Sequence, residues 1–209
     1  MSTFYQQDFV NYQGCTSDTG VNYTELVAQW LCGHIELLKK IPVITRKKSY
    51  KTQNHKGVIN NYTSPRTEEL IAKGMFQQKT LSLLGEIIDY QTPLKNQQND
   101  RAGKIDLLAY DGSILRILEL KKPDSNESML RCVLEGYTYL QTVDDKKLLA
   151  DFSLPIDTSV VACPFVYHGG IQFQEMKENR PYLIQLMERL DSIPFYISKK
   201  DDIYLVTGE

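Results

Sequence analysis

KIDLLAY (104–110), DGS (111–113) and ILRILELK (114–121) are the stretch on which the fold turns. Each outer run is strand-like, and Asp111-Gly112 between them is a hairpin signal. A two-residue turn at 111–112 pairs Tyr110 with Ser113 and, by extension, Asp106 with Ile117. A four-residue loop from Tyr110 to Ser113 gives the same register. Opposed residues share a face and side chains alternate along each strand, so Asp106, Ile117, Glu119 and Lys121 should project together with Leu108 and Leu115. Glu119 then lies one diagonal step from Asp106, about 7–8 Å between backbones. Ile105, Leu107, Ala109, Ile114, Leu118 and Leu120 form the other face, with Arg116 the exception. Both faces are apolar except at one end, where the charges collect.

That end carries the chemistry. Aspartate is disfavoured in strands, and a buried carboxylate needs a partner. Two carboxylates brought together repel unless a proton or a cation intervenes. Oxygen ligands with room for water suit Mg²⁺ better than zinc. Against this stands an ordinary solvent-facing Glu-x-Lys pair, worth only ~0–1 kcal/mol. Asp106 at the matching register tips the reading toward a site.

Outward from the hairpin, Leu83–Leu94 reads as a strand and Arg66–Gln77 as a helix opened by Ser64-Pro65, with Glu68 and Glu69 in its first turn, where the helix dipole favours them. Downstream, Glu127–Thr142 has apolar residues at helical spacing, and SVVACPFVY (159–167) reads as a strand covered on both sides. A helix is expected from Asn179-Arg180-Pro181 to about Leu190, then strands at Ile193–Ser198 and Ile203–Val206. Near the start, Asn22–Lys40 reads as a helix stopped by Pro42. The fold class is therefore α/β, a central mixed sheet with helices on its faces. Residues 1–64, a helix and a basic loop, should pack on or extend a core spanning 65–209, within one domain overall.

Asp106 followed by Glu119-Leu120-Lys121, in this order of elements, resembles the PD-(D/E)XK nuclease superfamily, the restriction endonuclease-like αβββαβ core. The resemblance covers roughly residues 65–168. It implies a metal-dependent phosphodiesterase, a hydrolase cutting nucleic acid, DNA foremost. It implies Mg²⁺, with Mn²⁺ as a substitute, held by Asp106, Glu119 and the Leu120 carbonyl. Lys121 would orient the attacking water or stabilise charge on the phosphate. Members often add a glutamate from the first helix: Glu69 is the first choice and Glu68 its rival. Two positions depart from the pattern. Ile105 stands where a proline is usual, and the Gln-xxx-Tyr of exonuclease-like members has only Val133…Tyr137 or Glu135…Tyr139 at its spacing.

The net charge of −2 hides an asymmetry. Lys39, Lys40, Arg46, Lys47, Lys48, Lys51, Lys56 and Arg66 face no acidic residue between Leu37 and Thr67, a local +8 that leaves −10 elsewhere. Such a segment suits a polyanion, and Arg46, Lys47, Lys48 and Lys51 are the expected phosphate contacts, with Tyr50 a candidate for stacking on a base. A solvated, lysine-biased loop is the plainer account. Cys15, Cys32, Cys132 and Cys163 form no CxxC pair, and no signal peptide is read at Met1–Val10, so reduced thiols and a cytoplasmic setting are expected. No apolar run reaches a membrane span. His34, His55 and His168 share no ligand spacing. Two further function classes stay open: a nuclease-fold module that binds nucleic acid or a protein without cutting, and a two-carboxylate hydrolase such as a glycosidase, which one lone tryptophan argues against. The oligomeric state is open too, a homodimer included.

Overall fold

The structure is a computed structural model that describes residues 2–52, 66–96 and 103–208. Six helices and seven strands build a mixed α/β fold: α1 (Tyr23–Gly33), α2 (Thr67–Gln78), β1 (Thr80–Leu81), β2 (Gly85–Pro93), β3 (Lys104–Tyr110), β4 (Ile114–Leu120), α3 (Met129–Thr142), α4 (Asp145–Asp151), β5 (Ser159–Tyr167), α5 (Ile171–Lys177), α6 (Pro181–Arg189), β6 (Phe195–Lys200) and β7 (Ile203–Thr207). The strands lie side by side in chain order in one sheet. β1 to β4 are antiparallel, β4–β5 and β5–β6 are parallel across helical connections, and β7 returns antiparallel.

The hairpin turn differs from the sequence expectation. The Asp111 carboxylate accepts the N–H groups of Ser113 and Ile114, both at 2.9 Å, and Gly112 takes φ +102°, a conformation glycine reaches without strain. These bonds move the tight turn to Gly112–Ser113. Tyr110 therefore pairs with Leu115 and Leu107 with Leu118, a slip of two residues from the expected register. An even slip keeps every side chain on its face.

The sheet is covered on both sides. On one, Ile71, Ala72 and Met75 of α2 pack on Leu107, Ala109, Leu118, Leu120 and Phe165. On the other, Tyr139 and Val143 meet Leu108, Leu115, Ile117 and Ala162. α3 begins at Ser128, whose hydroxyl accepts the Arg131 N–H at 3.0 Å and donates to the Val10 carbonyl at 2.6 Å. The N-terminal region thus joins the core: Tyr5, Val10, Ala28 and Leu31 pack with α3 and α6. The expected helix 22–40 is shorter, ending at Gly33 before a 3₁₀ turn at Ile35–Leu37.

The outer rim of β7 is closed by side chains. Gln78 accepts the Tyr204 N–H and donates to the Tyr204 carbonyl, both at 2.8 Å. The Ser82 hydroxyl donates to the Val206 carbonyl at 3.0 Å and accepts the Val206 N–H at 3.4 Å. Among the described residues no helix is long and apolar enough to cross a membrane.

Candidate active site

β3 and β4 part company at the end where the sequence places the charges. The last backbone pair is Leu107 with Leu118. Beyond it, Asp106 Oδ2 accepts the Leu120 N–H at 3.0 Å, so the carboxylate occupies the place of a strand partner between the two chains. Oδ1 accepts from Gln91 Nε2 at 2.8 Å, and Gln91 reaches it from a left-handed backbone (φ +50°) on β2. Removal from water pushes Asp106 up to about 7, with Glu68 and Glu135 raising it further and Lys121 and the Leu120 N–H offsetting them.

Glu119 and Lys121 project toward α3. Both are nearly sealed, at 3% and 4% exposure. Lys121 Nζ lies 2.8 Å from Glu119 Oε1, 2.7 Å from Glu127 Oε2 and 2.9 Å from Glu135 Oε2. Burial opposes the ammonium charge, but three carboxylates outweigh it and hold the Lys121 pKa well above its usual value. Glu119 is driven well up by burial and then by Glu135. Glu135 moves down despite its burial, because Lys121 and the Tyr139 hydroxyl (2.9 Å to Oε1) stabilise its charge. α3 comes this close because residue 136 is glycine: a Cβ there would stand 3.4 Å from Glu119 Cβ.

Of the two helix carboxylates, Glu68 reaches the strand end. Its Oε1 accepts the Lys122 N–H at 3.2 Å, whereas Glu69 is drawn to Lys73 (2.8 Å) and Arg66 (3.4 Å). Both line the groove of about 590 Å³ onto which Asp106 opens, together with Gln91, Lys104 and Lys122.

No hydrogen bond joins Asp106 to Glu119, and no group of three or more carboxylate, histidine or cysteine side chains among the described residues could hold a metal ion. The donor chemistry nevertheless fits a hard divalent cation. Glu119 Oε2 is buried with no hydrogen-bond partner, so it lacks a positive neighbour or a proton, and Mg²⁺ commonly takes only one or two carboxylates and keeps its waters.

The basic segment behaves unevenly. The Arg46 guanidinium donates to the backbone carbonyls of Ser49, Pro93 and Lys95, at 3.1, 3.2 and 2.7 Å, and is a clamp rather than an open phosphate contact. Lys47 and Lys48 are exposed, and Lys51 Nζ lies 5.8 Å from the centre of the Phe152 ring. Base stacking by Tyr50 is overturned: the ring is fully buried, its hydroxyl donates to the Ile44 carbonyl and accepts the Asp144 N–H, and it has no free face. His34 Nδ1 sits 2.8 Å from the Trp30 carbonyl. Lys56 and His55 lie outside the described residues.

Sequence reasoning missed Glu127, Glu135, Tyr139 and Gln91 as members of this cluster. The Glu135…Tyr139 spacing was visible, and on a helix it sets the two on one face. Gln91 was not legible, since its pairing with β3 lies beyond a bulge at Ile87–Asp89. No protein-family model matches this chain, and neither does a curated protein or a solved structure.

Proposed function

We propose that this chain is a Mg²⁺-dependent nuclease with a restriction endonuclease-like core, hydrolysing phosphodiester bonds in DNA. The observation that carries the reading is the parted end of β3 and β4, where the half-buried carboxylate of Asp106 lies beside the Glu119–Lys121 pair and one Glu119 oxygen is left without a partner. The succession α2, β2, β3, β4, α3, β5 supports it, being the αβββαβ order of that core.

Asp106, Glu119 and the Leu120 carbonyl would hold the ion, which when bound supplies charge neutralisation and a more acidic water. Lys121 provides a permanent positive charge for the anionic transition state, held in place by Glu127 and Glu135 so that no reorganisation is needed. Glu68 fixes the chain at Lys122 as it leaves β4.

A second reading, a binding module without cleavage, draws on one observation: Lys121 is saturated by three carboxylates and Asp106 by two donors. Incubating the purified chain with plasmid, linear and branched DNA and with RNA, in Mg²⁺, Mn²⁺ or chelator, separates the two. The nuclease reading expects metal-dependent cutting that Asp106→Ala and Lys121→Ala abolish. Salt-sensitive binding with no cutting in either metal would overturn it in favour of the module.

A further inference from the structure

Five aromatic rings gather on the N-terminal face, away from the strand end just described. Phe4, Phe9, Tyr12, Tyr23 and Trp30 line a cavity of about 600 Å³, and Asp8 is the only charged residue in its wall. Phe4 and Trp30 lie nearly parallel, 13° between planes and 6.4 Å between centroids. Phe9 meets Phe4 edge-on at 5.3 Å, and Tyr12 leans on Tyr23 at 5.2 Å. Four of the rings stay open to solvent, with 40% to 57% exposure at Phe9, Tyr12, Tyr23 and Trp30. Trp30 is braced from another ring: His34 stacks on it at 4.2 Å, with Nδ1 tied to the Trp30 carbonyl.

Aromatic faces present negative charge to whatever lies over them, and a cation with an apolar skin gains from that field without a heavy desolvation cost. A carboxylate at the edge reinforces the preference. The same features disfavour a nucleic-acid strand, for which stacking rings need flanking cations, and none lines this cavity. We propose that this cavity is an aromatic cage that binds a small quaternary-ammonium solute of the choline type, its methyl groups among the rings and its charge facing Asp8.

Trp30 is the chain's single tryptophan, so its fluorescence reports on the cage directly. Titration of the full chain with choline should give a saturable change. The neutral isostere 3,3-dimethyl-1-butanol should bind at least about tenfold more weakly. Glycine betaine, whose own carboxylate approaches Asp8, should fall between them. By calorimetry, Trp30→Leu should abolish choline binding, and Asp8→Asn should weaken it several-fold with an unchanged unfolding midpoint. Equal affinity for choline and the isostere would overturn the proposal, leaving a merely apolar cleft. So would the absence of saturation at millimolar choline. A response only to phosphatidylcholine vesicles, only to a single-stranded oligonucleotide, or to protein dilution alone would overturn it in favour of a membrane, a nucleic-acid strand or a second copy.

Discussion

Asp106 stores a pH dependence. Its carboxyl sits near 7 because it is withdrawn from water beside other acids, whereas an unfolded aspartate titrates near 3.9. Between those values the folded chain holds a proton that the unfolded chain has released. The stabilisation is therefore complete below about pH 4 and is lost as pH rises through 7. In chelator, the melting temperature of the wild type should fall from pH 5 to pH 8 relative to Asp106→Asn, which keeps an acceptor for Leu120 without the charge. Parallel melting curves would contradict the assignment. Lys121 offers a second test. Lys121→Met strands the buried carboxylates of Glu119 and Glu135, and urea unfolding should register a loss of ~3–5 kcal/mol. Adding Glu119→Gln should restore part of that loss, since the two residues are in contact.

At the scale of elements, α3 governs the site through its distance from β4. Gly136→Ala places a methyl at ordinary contact distance from Glu119 and gains helix propensity, so stability should change by less than about 1 kcal/mol. Gly136→Leu has no room. It should cost ~1–3 kcal/mol and reduce nuclease activity more than Ala does, measured on the same plasmid substrate. The elements around this contact were largely legible. β3 and β5 were read to their observed limits and β4 to within one residue, because short apolar runs bounded by turn residues have few other solutions. The turn between β3 and β4 was misplaced because a side chain, Asp111, outcompetes the backbone for the turn's N–H groups. α4 and α5, seven residues each, are too short to print a helical period. The grouping of Asp106, Glu119 and Lys121 at one end of the hairpin was legible from alternation. The enclosure of Lys121 by Glu127 and Glu135 was not, since it depends on how α3 docks.

For the whole molecule, charge asymmetry should govern affinity for DNA. The exposed pair Lys47 and Lys48 is open to phosphates, while Arg46 is spent on carbonyls. Lys47→Glu with Lys48→Glu should weaken binding and flatten the slope of log affinity against log salt by roughly two, by fluorescence anisotropy in chelator. Arg46→Ala should instead lower the melting temperature.

The stopper that Gln78 and Ser82 form along β7 bears on how copies of the chain meet. A sheet whose final strand has its spare amides already answered offers no template for another backbone. Growth by strand addition, the route to runaway stacking, is shut at that border by two uncharged side chains. Any assembly there must be negotiated by surfaces rather than ladders.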